Sequence, residues 1–360
     1  MLASCGTERS VQHEGEQSGG GMPAVAYSLV FIIHGDGEYL YHDSSGNPHF
    51  ADEEAVSQAE RVALHNVEAE VFIFHQRPRG RVLFLFPLRD GEMSYYRHGR
   101  LVATESYWRD PGQSGFDAEL VLYRQYYAGN RNETTRMFLY CGHEVPEYGG
   151  AGYDRSSPDH LFTVSQLAGG LGEFVRQSGR IDLVVLSTCY GGTPYTIGAI
   201  GHSARYVIAS PDNLHLSYFD FGFLERLERG LKNRAMRDFA KTFANRSFTR
   251  LVENVQTTVS VAVYDIDSTI AFLDSVRALY RHTLARMSAE SPSTGIAVEK
   301  CDCGEIPEFT LPTMDRGVEV FYRPARFGRA KSKHSHSGWE CLKESSEETD
   351  TTSAAAPEVK

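Results

Sequence analysis

No segment of the 360-residue chain stays apolar for the roughly 20 residues that a membrane-spanning helix needs. Basic charge is in deficit: 36 Lys and Arg stand against 47 Asp and Glu, a net charge of -11. That balance argues against a nucleic-acid partner, because such partners are held by a basic face. Cysteine is sparse, with six in all (Cys5, Cys141, Cys189, Cys301, Cys303 and Cys341), and their spacing does not read as a disulfide framework. Cys301 and Cys303 are spaced C-x-C with no second pair, so they do not form a zinc clip. Other cofactor signals are missing too. His143-Glu144 has Glu147 where a zinc-peptidase helix would carry its second His. The Gly-rich stretch after it lacks the Gly-Lys-Ser/Thr that closes a phosphate-binding loop. The expectation is an enzyme or binding protein with no metal and no cofactor.

What is present is globular: 41% hydrophobic and 23% charged residues, enough for one large or two ordinary domains. The central feature is residues 181–195. An apolar, β-branched run, Ile181 to Leu186, has the length of a buried parallel strand and ends in Ser187-Thr188-Cys189, followed by Tyr190 and Gly191-Gly192. Open α/β sheets carry their reactive groups at the carboxyl ends of the strands, which is where Cys189 falls. Read alone, Cys189 is equally an ordinary buried thiol. A second stretch, Arg136 to Cys141 and then Gly142-His143, has the same build. A helical pattern from about Leu161 to Arg176 joins the two. In a right-handed β-α-β unit both strands end on one edge, so His143 and Cys189 can meet there as proton-transfer partner and thiolate nucleophile. His34, at the end of the strand 27–33, is a rival for the His role.

A strand ending in Gly-His and, about 45 residues later, a strand ending in x-x-Cys resembles the caspase-like cysteine peptidases, and among them the clostripain-like family. Ala204 to Ser210, a strand ending in Ala-Ser, and Thr257 to Asp265, a strand leading into a helix, are similar to that family as well. The likeness runs over roughly residues 25–290. It implies an α/β fold: a caspase-like three-layer α/β/α sandwich with a mostly parallel sheet. It also favours His143 over His34, because the family's His strand directly precedes its Cys strand. By the same resemblance Cys189 attacks the scissile carbonyl, His143 protonates the leaving amine, and the backbone N–H groups of Cys189 and Glu144 hold the oxyanion. The family has Gly at the position of Glu144, and a carboxylate there is unhelpful to an oxyanion unless it points away. The family also carries an Asp two residues before the Cys, which selects basic residues. Here that position is Ser187, and Asp212 or Asp220 on the following loop are the substitutes, against the plainer reading that both are turn-forming acids. The expected activity is a cysteine endopeptidase acting on a peptide or protein substrate. A silent binding protein of the same fold, or another hydrolase or transferase using Cys189, are the alternatives.

The rest of the chain reads as follows. Residues 1–22 form a polar tether. Met1 to Gly6 resembles a bacterial lipoprotein box with Cys5 as the lipidated residue, although no apolar signal region precedes it. The expectation is an envelope protein with a lipid anchor if translation starts upstream of Met1, and otherwise a cytoplasmic one. Residues 23–290 form the peptidase domain, 291–330 a small β extension and 331–360 a polar tail holding His334 and His336. Within the domain, 51–67 is a helix begun by Asp52, Glu53 and Glu54, and 70–75 is a strand. Val82 to Phe86 and Met93 to Arg97 make a β-hairpin insertion turning at Asp90-Gly91. Trp108 and the Tyr-rich helix to Tyr127 read as core. The loop 144–155 lines the substrate or merely connects. A helix over 191–203 starts just beyond the thiol and favours its ionised form. Residues 221–254 and 265–289 are amphipathic helices.

Overall fold

The computed structural model describes residues 24–35, 40–42, 46–82, 86–109, 115–127, 134–147, 149–150, 153–176, 179–214, 219–228, 231, 234–274 and 317–327. The lipoprotein-like Cys5, residues 291–316 of the expected β extension, Cys301, Cys303, Cys341 and the tail lie outside them. In chain order the elements are strands β1 (Tyr27–His34), β2 (Leu40–His42) and β3 (Pro48–Phe50), helix α1 (Ala51–His65), and strands β4 (Ala69–Gln76), β5 (Arg81–Val82), β6 (Phe86–Pro87), β7 (Gly91–Arg97) and β8 (Arg100–Tyr107). Then follow α2 (Asp117–Tyr126), β9 (Thr135–Cys141), α3 (Val164–Val175), β10 (Ile181–Ser187), α4 (Pro194–Ile200), β11 (Ala204–Ala209), α5 (Arg234–Asn254), β12 (Val259–Asp265) and β13 (Val318–Arg323).

Nine strands form one sheet in the order β13-β12-β11-β10-β9-β1-β4-β7-β8. The five central strands, β11 to β4, run parallel, and two antiparallel strands extend each end. The central strands are apolar on both faces because both are covered. Leu29, Phe31 and Ile33 of β1 point into one core with α1 and α5, whereas Val30 and Ile32 point into the other with α2, α3 and α4. The period of two along each strand thus divides one sequence between two hydrophobic layers, giving the caspase-like α/β/α sandwich.

Several expectations need correction. The hairpin is β7–β8, and it turns at His98-Gly99, both at positive φ (53° and 74°), the signature of a type I′ turn. Asp90-Gly91 is not a turn. Asp90 is a buried carboxylate, and Gly91 makes room for the Tyr107 ring, which would lie 2.3 Å from any Cβ placed there. Val82 and Phe86 belong to a separate two-stranded ribbon, β5–β6. Trp108 is 49% exposed rather than core. The segment 221–254 is two pieces, a 3-10 turn over Phe221–Glu225 and then α5. β13, in the expected C-terminal β extension, pairs antiparallel with β12 at the edge of the main sheet.

Candidate functional site

β9 and β10 are parallel neighbours, with Cys141 opposite Ser187 as their last pair. Two residues beyond that pair stand His143 on one strand and Cys189 on the other. The register therefore brings both loop positions to the carboxyl edge of the sheet. The residue between Ser187 and Cys189 reinforces this, because the Thr188 hydroxyl donates to the carbonyl oxygen of His143. A second tie joins the same two loops farther out: Thr193 donates to the buried Glu147 carboxylate, 2.6 Å away.

The chain after the thiol is bent under strain. Tyr190 has φ +52°, a left-handed conformation that side chains other than Gly, Asn and Asp adopt at a cost. It is held there by its N–H, which donates to the Asp212 carbonyl at 3.1 Å. Gly192 then packs so closely on the next strand's exit that an added Cβ would lie 2.5 Å from the Tyr264 hydroxyl and 2.8 Å from the Pro211 nitrogen. The Tyr264 hydroxyl donates to the Gly192 carbonyl at 2.8 Å. The expected helix over 191–203 begins only at Pro194. Its Thr193 cap accepts from the Thr196 N–H and donates to Glu147, so a carboxylate already stands at the helix's N-terminus.

Cys189 is buried, with 9% of the residue exposed. Its Sγ lies 2.8 Å from Asn213 Oδ1, receives the Leu214 N–H at 3.4 Å and stands 3.7 Å from the Leu214 carbonyl oxygen. Neither Asn213 nor Leu214 stands out in the sequence. They follow Pro211-Asp212 in what reads as an ordinary loop, and only the pairing of β10 with β11 shows that this loop returns over Cys189. The other described thiol, Cys141, is fully buried in β9, and burial pushes it well above its ordinary range.

The remaining predicted residues separate clearly. Glu144 is half-buried directly after His143. Ser187 is buried, and its hydroxyl accepts the Phe219 N–H at 3.2 Å. Asp220 caps the 3-10 turn through the Gly222 N–H and faces Arg246 and Arg250 of α5 at 4.0 and 3.9 Å. Asp212 is half-buried, and one of its oxygens accepts the Asn213 N–H at 2.7 Å. Its charge also reaches Tyr322 of β13, whose hydroxyl is pushed up first by burial and then by Asp212. His34 is enclosed in a different cluster. It stacks on Tyr153 at 4.3 Å, with Arg109 3.4 Å from its Nδ1 and Asp154 4.0 Å from its Nε2. Among the described residues no group of three or more His, Cys, Asp and Glu could hold a metal ion, and no helix is long and apolar enough to cross a membrane.

A thiol and an imidazole on adjacent parallel strand ends, under a sheet covered on both faces, define an α/β protein with a candidate cysteine-hydrolase site. Residues 140–337, more than half of the chain, match the model of the clostripain family, peptidase family C11, and the chain belongs to that family. It is therefore a cysteine peptidase, a hydrolase acting on peptide or protein substrates. No curated protein sequence matches it. Similar solved structures include a secreted C11 cysteine protease from Bacteroides thetaiotaomicron in complex with an irreversible peptide inhibitor, at 14% identity and TM-score 0.47, covering 72% of this chain and 70% of that one. Another structure of a secreted C11 protease from the same organism, iotapain, gives 13% and 0.46 over 73% and 72%. An inactive zymogen C11 protease from Parabacteroides distasonis gives 13% and 0.44 over 72% and 67%.

Proposed function

We propose that Cys189 and His143 carry out peptide-bond hydrolysis as nucleophile and general acid, with a preference for substrates presenting Arg or Lys at the cleavage point. The supporting observation is the shared register of β9 and β10, which brings both residues to the same edge two positions past a paired Cys141 and Ser187. The thiolate attacks the scissile carbonyl carbon, and the carbonyl π pair moves onto oxygen, which the Cys189 and Glu144 backbone N–H groups receive. Collapse of that intermediate expels the amine as His143 supplies its proton. Water then attacks the thioester and gives a proton to His143, and the acid leaves as the thiolate and the protonated His143 are restored. His143→Ala should lower turnover by at least about a hundredfold, the scale of a general acid. His34→Ala should affect turnover much less and stability more, since His34 is enclosed by Arg109, Asp154 and Tyr153. The reverse ranking in purified variants would assign the role to His34.

Asp212 supplies the acid for basic specificity in this reading. Ser187 has no charge and is occupied by the Phe219 N–H, and Asp220 already faces two arginines. Asp212 leaves the sheet beside the thiol loop, whose Tyr190 N–H it holds. A charged hydrogen bond is worth about 1.5–3 kcal/mol, so Asp212→Asn should cost roughly ten- to a hundredfold in kcat/KM on Arg and Lys substrates and little on neutral ones. A cleavage-site profile of both proteins checks this. No basic preference in the wild type would refute it.

A further inference from the structure

Asn213 and Leu214 bring polar groups to the Cys189 sulfur: the Asn213 side-chain oxygen, the Leu214 N–H and the Leu214 carbonyl. The Leu214 N–H can only donate, and a donor at 3.4 Å favours a sulfur that carries negative charge. The Asn213 side-chain oxygen at 2.8 Å can only accept, which suits a protonated S–H. A terminal amide offers both kinds of group, and turning it by half a circle exchanges oxygen for NH2 at the same place. The position of the amide is fixed by its loop rather than by the sulfur. The Asp212 carbonyl takes the Tyr190 N–H at 3.1 Å and the Ser210 hydroxyl at 2.8 Å, and the Asp212 carboxylate takes the Asn213 N–H at 2.7 Å.

We infer that Asn213 is a positioning residue that sets the ionisation of Cys189: its amide oxygen accepts from the resting thiol, and its amide NH2, turned inward, joins the Leu214 N–H in holding the thiolate. This rests on the reading of Cys189 as nucleophile and adds what makes that nucleophile available. On ionisation the proton passes to solvent buffer, and the negative charge left on sulfur is met by two N–H donors. The cap of helix α4 already bonds the Glu147 carboxylate. A carboxylate at position 213 would keep the shape of the side chain but offer only acceptors, and its charge would oppose the thiolate.

The test is alkylation of the full-length protein with iodoacetamide, from about pH 5 to about pH 10, read by mass spectrometry on the peptide that contains Cys189. The thiolate displaces iodide, so an S–C bond forms as the C–I bond breaks, and the rate follows the ionised fraction. Asn213→Asp should raise the midpoint of the rate profile by at least about one pH unit, the size of a like-charge effect, and should approach the wild-type rate at the alkaline plateau. Asn213→Leu, which removes the donor without adding charge, should shift it in the same direction by less. Cys141, enclosed in β9, should stay unlabelled in every variant and so reports an intact fold. Midpoints unchanged in both variants, whatever the plateau rates, would overturn the inference. The readout needs no peptide hydrolysis. An error in naming the nucleophile would instead appear as peptidase activity surviving Cys189→Ala, with the alkylation shifts still present.

Discussion

Replacing Cys189 by alanine abolishes peptide hydrolysis and leaves the fold in place. The two halves of this expectation have separate grounds. The sulfur is one atom of a buried residue, and the ties that shape its loop run through other atoms: the Thr188 hydroxyl to the His143 carbonyl, the Tyr190 N–H to the Asp212 carbonyl and the Gly192 N–H to the Ser210 carbonyl. Losing it should therefore cost about 1 kcal/mol of stability. Activity should fall by at least about four orders of magnitude, as when a covalent nucleophile is removed. Neither remaining group nearby replaces it. Cys141 is fully buried, and its thiol is held protonated by that burial. Thr188 has its hydroxyl committed to the His143 carbonyl. Peptide cleavage by the purified variant, together with its urea-unfolding midpoint, separates the two halves. Cleavage near the wild-type rate would mean that another residue is the nucleophile.

The parts of this site carried by strand ends were legible in the sequence, and the parts carried by returning loops were not. Leu183 to Leu186 and Met137 to Cys141 are continuous apolar runs, a pattern that both-sided burial imposes on parallel strands, so their ends could be read directly. β8 escaped notice because it is an edge strand with mostly exposed residues, and its apolar content is too low to signal. Asp90-Gly91 misled because the same dipeptide that favours a turn also suits a buried carboxylate beside a glycine packed on an aromatic ring. Asn213 was invisible for another reason. Its partner is 24 residues away along the chain, and only the register of β10 against β11 brings them together. The left-handed Tyr190 was hidden too, since nothing in a Tyr announces positive φ; the strain is imposed by the carbonyl of Asp212 across the loop.

Replacing Arg109 by leucine should destabilise the protein by about 3–5 kcal/mol, the cost of leaving a buried carboxylate without its cation. Arg109 follows β8 and is enclosed among groups drawn from distant parts of the chain. Its guanidinium lies 3.2 Å from Asp154, 3.6 Å from Asp90 and 3.4 Å from His34, and it donates to the Arg77 carbonyl at 2.8 Å. The side chains of Asp154, Asp90 and His34 are fully buried, so water cannot replace the lost partner. Asp90 keeps Arg79 at 3.0 Å, but among the described residues Asp154 keeps only His34 and the Ser156 and Ser157 hydrogen bonds. Burial alone would raise the Asp154 carboxyl. The charges of His34 and Arg109 and the bonds from Ser156 outweigh it and hold the carboxyl below its ordinary range. A depressed carboxylate stabilises the fold fully above its unfolded pKa, about 3.9, and that contribution fades as pH falls through the lower folded value. Without Arg109 the folded value moves up, so the penalty should be full at neutral pH and shrink in acid, where Asp154 takes up a proton. Asp154→Asn placed on top of Arg109→Leu should recover part of the loss at neutral pH by removing the charge. Urea unfolding of the three proteins at about pH 7 and about pH 4 reads all of this. An Arg109→Leu penalty below about 1 kcal/mol, or one that grows with acid, would show that Arg109 is not the counter-charge on which the loop after His143 depends.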